Sequence, residues 1–486
     1  MKHNRIVAIS ILTALLLTAI SCGETESDGD TNTSAPESTT PEVTDYYDTL
    51  ALPGFNGETF TILCKSGSEN EFYAEAENGE VVNDAIFMSN RNVEEGLGIN
   101  LDVVSVAGGW NDKDIFINYV TSSVMSGADD FQMLMGYMYY MPTIITENLF
   151  LDINSLPVIN LDNPWWTDGF NDNATINNRM YMAMGDVCMS RLRVTNCLFA
   201  NVTLMEEYGY AIDDLYNEVR NGTWTFDKLT ALAKTASADL NGDGFIDNTD
   251  RHGLGISFMG IRAMTNAFGI DYTTRDSDGL PQIALYCDRF INAYELMYNT
   301  IHTEWFYTAP NNYTVPEDMI PKFKENRMMF LVNYLGSTCA ELRDMESTYA
   351  VLPLAKYDET QEDYRTECSD AVSIIMVPAT ASNHELVGAV LETINYEAYQ
   401  NVTPAYFDTT LQGKYARDES SQEMMDIIRD SLYFDFGYIF AGVIGGDINK
   451  LMDSSVTNPN IASIWAAKSP TMEQNLESLL EFFRQN

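Results

Sequence analysis

The sequence is poor in the residues on which catalysis and metal binding most often depend. Only four of the 486 residues are histidine, and none of the patterns HExxH, GxSxG and GxxxxGK[ST] occurs. HExxH binds zinc, GxSxG carries a nucleophilic serine, and the third pattern cradles phosphates. No CxxC pair is present either, although closely spaced cysteines are typical of structural zinc sites. The sequence therefore gives no support to a zinc protease, a serine hydrolase or a phosphate-loop enzyme.

Basic residues are also scarce. The chain has 27 Lys and Arg residues against 71 Asp and Glu residues, a formal net charge of −44. Such a field repels phosphate backbones and anionic lipid surfaces, so we expect no nucleic-acid partner. It also repels anionic substrates unless a local patch reverses it, so a neutral ligand or divalent cations suit this surface better. Hydrophobic residues at 45% and aromatic residues at 12% exclude a disordered chain.

Cysteine is infrequent and widely spaced, with seven residues in the whole chain. One of them, Cys22, lies beside the N-terminal signal described next. The other six allow fifteen disulfide pairings in an oxidising compartment. Buried free thiols are an equally good interpretation, since a large core does not need disulfides.

The first 22 residues have the pattern of an export signal. Lys2 and Arg5 give a basic start, and the apolar run Ile6–Ile20 follows. This run is shorter than the roughly 20 residues that a membrane-spanning helix needs. A basic head, a short apolar body and small residues before a cleavage point predict a secretory signal over residues 1–22.

A cysteine stands at the end of this signal. Cys22 and the residues before it resemble a bacterial lipobox, in which the new N-terminal cysteine is lipid-modified. Ala19 departs from that motif, which more often has Leu or Val there. Residues 23–53 are rich in Gly, Ser, Thr, Pro and acids and are predicted to form an extended, disordered tether. We therefore expect a lipoprotein anchored through Cys22 outside the cell; an ordinary signal peptide with a chance cysteine is the alternative.

Short apolar runs alternate with helical patterns after the tether. In chain order the first predicted elements are strand Phe60–Cys64, helix Val82–Gly96, strand Ile99–Val106, helix Lys113–Met125 and strand Phe131–Gly136. This alternation predicts an α/β fold with a parallel sheet covered on both faces. Ligands of such sheets meet the loops at the carboxyl ends of the strands. Ser66, Trp110 and Tyr137 lie in those loops and are candidate ligand-binding residues.

The pattern continues to the end of the chain. Further predicted strands are Met180–Met184, Val194–Asn201, Gly253–Ser257, Met328–Asn333, Ala350–Leu354 and Val372–Val377. Further predicted helices are Thr225–Ala238, Ile283–Thr300, Pro316–Glu325, Asn383–Tyr399, Ser421–Asp430 and Met472–Phe483.

One acidic loop, residues 239–250, matches a calcium-binding pattern. Hard cations need several oxygen ligands that converge on one point, and Gly244 permits the sharp turn that this requires. The predicted ligands are Asp239, Asn241, Asp243, the carbonyl of Phe245, Asp247 and Asp250. Asp250 replaces the usual Glu, as in loops of the dockerin kind, and its shorter side chain reaches less far. We expect a structural calcium ion here; an acidic turn without metal is the alternative.

Aromatic residues are abundant, with 27 Tyr, 23 Phe and 6 Trp. Flat rings suit the C–H faces of sugars, while acids and amides bind sugar hydroxyls. Most aromatic side chains pack in cores, but those in loops beside strands are better candidates for stacking. The candidate ligand-binding set therefore comprises Ser66, Trp110, Tyr137 and Tyr334, the strand-end acids Asp186 and Asp370, and Tyr433 and Phe436 from an aromatic run.

Several stretches resemble the extracellular solute-binding proteins of family 1, lipoproteins that deliver sugars to ABC importers. They are the lipobox-like Cys22 and the segments "CLFAN", "YGYAIDDLYNEVRNGTWTFDKLTALAKTA", "DLNGDGFIDNTDRHGLG", "KENRMMFLVNYLGS" and "YAVLPLAKYDE". The second segment is close to the family's Gly-x-x-x-Pro-x-Thr-Trp-x-Glu-Leu stretch, of which Trp224 and Leu229 match, whereas Asp227 takes the place of Glu and the Pro is missing. Tyr334 stands where the family often has a sugar-stacking Trp.

This resemblance implies a type II, two-lobed periplasmic-binding-protein-like fold whose lobes close on a ligand like a hinge. Lobe one would combine residues 54–189 and 374–430, and lobe two residues 190–373 and 431–486. The chain would cross between lobes near residues 189–195, 370–373 and 430–434. A monomeric protein without enzymatic activity would then capture a neutral carbohydrate, most readily an oligosaccharide, and present it to ABC permease subunits in the membrane.

Two other functional classes remain open from the sequence. One is a surface-anchored carbohydrate-active enzyme, since paired carboxylates can hydrolyse glycosides and an acidic chain offers many pairs. The other is an interaction module that docks through its calcium-type loop. Turnover of a sugar panel would favour the first alternative, and calcium-dependent docking would favour the second.

Overall fold

The computed structural model describes residues 46–308, 318–411 and 419–485. The predicted signal, Cys22 and most of the predicted tether therefore lie outside the described residues. The strands are β1 (Glu58–Lys65), β2 (Ile99–Val106), β3 (Met133–Tyr137), β4 (Asn196–Asn201), β5 (His252–Ile256), β6 (Thr273–Arg275), β7 (Pro281–Ile283), β8 (Phe306–Tyr307), β9 (Met328–Tyr334), β10 (Tyr349–Leu352) and β11 (Ser373–Met376).

Helices connect and cover these strands. They are α1 (Tyr46–Leu50), α2 (Val81–Leu97), α3 (Lys113–Met125), α4 (Asp168–Ala174), α5 (Ser190–Arg193), α6 (Val202–Glu207), α7 (Ile212–Arg220), α8 (Phe226–Ala236), α9 (Phe258–Ala267), α10 (Asp288–Ile301), α11 (Met319–Lys324), α12 (Leu335–Glu341), α13 (His384–Glu397), α14 (Thr403–Leu411), α15 (Glu419–Asp430), α16 (Phe436–Ile439), α17 (Ala441–Ile444) and α18 (Ile461–Gln485). Short 3₁₀ turns include Trp110–Asp112, Met141–Glu147 and Ile448–Lys450. Among the described helices, none has a stretch both long and apolar enough to span a bilayer.

The first sheet has the strand order β11-β3-β1-β2. β1 pairs in parallel with β2 and β3, while β11 pairs antiparallel with β3. Ile62 and Leu63 in β1 are completely buried, as expected of a parallel strand covered on both faces. Helix α2 turns Ile86 and Val93 inward and ends at Gly98, whose φ of 68° is left-handed. The predicted parallel α/β arrangement is confirmed here.

The second sheet has the order β10-β4-β9-β5-β8. β4 pairs antiparallel with β9 and β10, and β5 pairs in parallel with β8 and β9. Trp224, from the segment that carries the family resemblance, is completely buried beside this sheet. Its indole N–H donates to the carbonyl of Pro353 at 3.3 Å. This tryptophan therefore has a packing role.

Three chain segments lie side by side between the two sheets. Thr195 pairs antiparallel with Cys368, and Thr366 pairs in parallel with Leu432. The Ser369 N–H donates to the carbonyl of Val194 at 3.0 Å. The first of these segments joins β3 to β4 and the second joins β10 to β11, so both connect one sheet to the other. We call residues 189–195, 366–372 and 431–434 the crossing segments.

The predicted lobe limits remain a proposal. Two helices, α15 and α17, contact elements of the sheet that belongs to the other predicted lobe. α15 falls within the predicted lobe one, but it packs against β10 and α7 of the second sheet. α17 falls within the predicted lobe two, but Gly442 in it approaches the carbonyl oxygen of Tyr139 in the first-sheet loop after β3. The C-terminal region therefore contacts elements of both sheets.

One predicted strand is wrong, and one predicted helix begins later than expected. Residues 180–184 do not form a strand, because Ala183 makes only a single bridge, to Ile375. The helix predicted from Ile283 begins at Asp288 instead, since Ile283 belongs to the small β6–β7 sheet. Both stretches are apolar and short, and periodicity cannot tell a strand from a packed loop at that length.

Candidate functional site

Aromatic rings and lysines meet at the carboxyl ends of the first-sheet strands. Lys65 and Tyr137 are the last residues of β1 and β3, and Trp110 and Tyr139 follow β2 and β3 closely. Lys450 joins them from the C-terminal region. We call these five residues, Lys65, Trp110, Tyr137, Tyr139 and Lys450, the aromatic–lysine cluster.

The cluster is held by ring and cation contacts. The rings of Trp110 and Tyr139 have centroids 4.5 Å apart. Lys450 Nζ lies 3.1 Å from Tyr139 Oη and 5.5 Å from the Trp110 ring, and Lys65 Nζ lies 4.8 Å from the Tyr137 ring. Trp110 nevertheless keeps 54% of its surface exposed. The cluster thus presents an aromatic face flanked by ammonium donors, which suits a polyhydroxylated molecule with apolar C–H faces.

A buried ion-pair network lies next to the cluster. Arg262 in α9 donates through Nη1 to Asp370 at 3.3 Å and through Nη2 to Asp453 at 2.8 Å. Asn449 Nδ2 also donates to Asp370, at 2.9 Å. Asp370 connects to the cluster through its carbonyl, which accepts the Tyr139 N–H at 2.9 Å. The network therefore joins α9, a crossing segment and the C-terminal region at the site.

Burial controls the charges of this network. It disfavours the charged form of Arg262, but Asp453 and Asp370 outweigh that effect and raise the guanidinium pKa above its ordinary value. Burial also raises the pKa of Asp453 to about 6, even though Arg262 opposes the shift. Asp370 uses Oδ2 for both of its donors, so Oδ1 remains an acceptor for a hydroxyl group.

Tyr334 reaches the same crossing segment from the second sheet. It ends β9, and its hydroxyl donates to Ser369 Oγ at 3.0 Å. Burial raises the pKa of this phenol above its ordinary value. Since Asp370 follows Ser369 directly, Tyr334 and Tyr139 approach the crossing segment at neighbouring residues.

The structure brings five of the candidate ligand-binding residues to one region. Ser66 is exposed directly after β1, where its N–H donates to the Val106 carbonyl at 2.8 Å. Trp110, Tyr137, Tyr334 and Asp370 lie at or beside the cluster as described above. The Gly-Gly before Trp110 permits this approach, because a Cβ on Gly108 would lie 2.9 Å from the Phe116 ring.

Asp186 needs correction as a free acceptor for ligand hydroxyls. It is buried and forms an ion pair with Arg191. Its other carboxylate oxygen accepts the Thr403 hydroxyl at 2.8 Å. Burial raises its pKa despite the arginine. Both oxygens therefore have protein donors, and the residue anchors α14 to the first crossing segment.

Tyr433 and Phe436 also have structural partners. Tyr433 donates its hydroxyl to Asp271 at 2.6 Å, and the Arg365 guanidinium covers its ring at 4.1 Å. Phe436 is only 2% exposed and lies 4.5 Å from the Phe440 ring. The expected stacking on a ligand does not agree with these contacts.

The acidic loop folds around its own backbone. Asp239 accepts the N–H groups of Gly242 and Gly244, and Asp250 accepts those of Leu240 and Asp247, all within 2.9 Å. Across the described part of the chain, no three acidic, histidine or cysteine groups lie close enough to hold a metal ion. Calcium binding by residues 239–250 remains a prediction.

Sequence reasoning missed three functional candidates, namely Arg262, Tyr139 and Lys450. A cation inside the apolar helix "FMGIRAM" is a usable signal for Arg262, since a buried charge needs partners. No local pattern distinguishes Lys450, whose aromatic partner Tyr139 lies 311 residues away in sequence.

No family model matches the chain, and no curated protein sequence is significantly similar to it. Solved structures do resemble it. A cyclo/maltodextrin-binding protein complexed with maltotetraose shares 13% identity at a TM-score of 0.54, over 88% of this chain and 97% of the other. Maltose-bound T. maritima MalE3 shares 13% sequence identity at a TM-score of 0.50, over 87% of this chain and 100% of the other. The GacH receptor of Streptomyces glaucescens was solved unliganded and with acarbose. It shares 10% sequence identity at a TM-score of 0.53, over 88% of this chain and 99% of the other. The chain therefore has the two-lobed α/β fold of solute-binding proteins.

Proposed function

We propose that this protein captures a neutral carbohydrate, most readily an oligosaccharide, between its two lobes without covalent chemistry. The observation that carries the proposal is the aromatic–lysine cluster, which lies beside a buried polar network where the two sheets are connected. The similar structures support it, since those proteins were solved with maltotetraose, maltose and acarbose bound.

The residues of the cluster, together with Asp370, have different roles in the proposed binding. The C–H face of a sugar ring stacks on the exposed face of Trp110, with Tyr137 beside it. Asp370 Oδ1 accepts a hydroxyl, and Lys65 and Lys450 donate to sugar oxygens. Closure of the lobes would exclude water from these bonds and strengthen them.

The predicted lipid anchor at Cys22 completes the proposal. A lipoprotein tethered outside the cell membrane would present the closed, loaded form to ABC permease subunits. Replacing Cys22 with Ser tests this part separately, because the protein should then move from the membrane fraction to the medium. Retention of the variant in the membrane fraction would contradict lipid anchoring.

Titration calorimetry against neutral mono- and oligosaccharides tests sugar capture. We expect binding by the wild type and about tenfold weaker binding by Trp110→Ala, since one stacked ring contributes about 1 kcal/mol or more. Trp465→Ala is the matched control. Trp465 lies in α18, its ring centroid is 5.0 Å from that of the stacked Tyr286 ring, and it does not belong to the cluster. Absence of heat and of thermal shift with every sugar, or equal binding by Trp110→Ala, would refute the proposal. Release of shorter sugars from the same panel would instead indicate a hydrolase.

A further inference from the structure

A cavity of about 300 Å³ lies apart from the aromatic–lysine cluster. Its walls come from residues 70–86 before and within α2, the first crossing segment, α12 and α14. This volume is at the lower end of the range of small-molecule sites. None of its lining residues belongs to the cluster or to the Arg262 network, so this is a separate space.

Three elements pack tightly against one another at one part of the cavity wall. A Cβ on Gly336 would lie 2.9 Å from Arg193 Cα and would collide with Tyr406 Oη. Gly336 belongs to α12, Arg193 to the first crossing segment and Tyr406 to α14. The packing of these three elements therefore fixes the position of Arg193 at the cavity.

Two arginines in the wall have no partner within the described part of the chain. Among the described residues, Arg193 and Arg343 form neither an ion pair nor a hydrogen bond, although both line the cavity. Buried arginines such as Arg262 are paired with carboxylates. Arg193 and Arg343 are instead exposed to solvent, so their guanidinium groups are accessible to a ligand.

The wall also contains two glutamates, which form no ion pair with these arginines in the described structure. Glu71 is buried and accepts the backbone N–H of Ser190 at 3.3 Å. Glu80 also lines the cavity but forms no ion pair with either arginine. Thr409 adds a hydroxyl oxygen that is buried and without a hydrogen-bond partner in the described structure. The wall thus offers two guanidinium groups and a hydroxyl as unused donors.

We propose that this cavity binds a small ligand through a carboxylate, sulfate or phosphate group held by Arg193 and Arg343. Guanidinium groups bind such oxyanions through paired, charge-assisted hydrogen bonds. The two arginines offset the carboxylates of Glu71 and Glu80 in the same wall, so the cavity lacks the net negative charge of the rest of this strongly acidic protein. The Thr409 hydroxyl can donate a further bond to the same group. This site does not depend on the proposed capture of neutral sugars.

Calorimetry with simple anions tests the proposal on the full chain. The probes are sodium sulfate, sodium phosphate and sodium galacturonate, with neutral galactose for comparison, all at constant ionic strength. We expect at least one anion to bind, and Arg193→Gln and Arg343→Gln each to weaken it about tenfold or more. Arg91→Gln is the control, because Arg91 lies on α2 but pairs with Glu94 at the surface. It should bind the anion as the wild type does.

The probes separate the two sources of the anionic group. Binding of sulfate or phosphate alone supports a free inorganic anion, and binding of galacturonate alone supports an acidic sugar. Trp110→Ala should leave anion binding unchanged, which distinguishes this site from the aromatic–lysine cluster. Absence of binding by all three anions, or equal binding by the wild type and both cavity variants, would overturn the proposal. Melting temperatures of the two variants should match the wild type without ligand, because neither arginine has a bond to lose.

Discussion

Replacing Arg262 with Met removes the only cation that contacts Asp370 and Asp453 among the described residues. The guanidinium is 3% exposed and the two carboxylates are 8% and 5% exposed. Breaking a buried pair by removing one partner costs about 3–5 kcal/mol, because it leaves an uncompensated buried charge. We expect the free energy of unfolding of Arg262→Met to fall by at least this amount at neutral pH. A loss of that size is a large part of the usual 5–15 kcal/mol.

The cost should depend on pH in a defined direction. Arg262 opposes the effect of burial on Asp453, whose pKa is about 6 in the wild type. Without the arginine, burial would raise the folded pKa of Asp453 further above its unfolded value. Stability from such groups is complete below the unfolded pKa and is lost as the pH rises through the folded pKa. If Asp453 stays neutral in the folded variant, the cost of the substitution should grow by up to about 3 kcal/mol between pH 6 and pH 8, at 1.36 kcal/mol per unit.

Urea unfolding at pH 5 and pH 8 measures both effects. Arg220→Met is the matched control, because Arg220 pairs with Glu423 at the surface, where the two side chains are 32% and 44% exposed. Such a pair contributes less than about 1 kcal/mol. Adding Asp370→Asn and Asp453→Asn to Arg262→Met should recover part of the loss. A cost for Arg262→Met that equals the control, or that does not change with pH, would refute the reasoning.

Three further predictions concern stability. Glu392→Leu should lower the free energy of unfolding by about 2–4 kcal/mol in urea, because the indole N–H groups of Trp165 and Trp166 donate to this carboxylate and would be left unpaired; an unchanged midpoint would contradict this. Burial raises the pKa of Asp435 to about 6, so the advantage of the wild type over Asp435→Asn should shrink by up to about 3 kcal/mol as the pH rises from about 4 to 7; a constant difference would contradict it. Calcium at about 5 mM should raise the melting temperature, and Asp243→Asn should abolish that rise; no response in the wild type would exclude calcium binding.

The sequence predicted the first sheet well because its strands have regular apolar patterns. Phe60–Cys64 is a mostly apolar, buried run, whereas in Ile99–Val106 apolar residues alternate with the exposed Asn100 and Asp102. The predicted limits of both runs are within a few residues of the observed strands. Residues 180–184 looked the same but form a packed loop. Local pattern cannot separate these cases, because the outcome depends on whether a neighbouring strand is free to pair.

The site was predictable only where the backbone alone determines position. Trp110 and Tyr137 follow strands, and the ends of parallel strands meet at one edge of a sheet. Arg262 could not be assigned a role, because its acceptors Asp370 and Asp453 are 108 and 191 residues away. Asp186 was predicted at the end of a strand, as Asp370 was, yet its carboxylate accepts a hydrogen bond from Thr403, 217 residues later. Partners this distant in sequence are determined by the packing of the lobes.

Native mass spectrometry of the protein purified from its own host without added sugar tests the central claim most directly. If the lobes capture a neutral carbohydrate at the aromatic–lysine cluster, part of the wild type should carry a released ligand whose mass and fragments correspond to sugar units. Trp110→Ala prepared in the same way should carry much less, and Trp465→Ala should carry as much as the wild type. A bound molecule that is not a carbohydrate, or one retained equally by Trp110→Ala, would contradict the claim.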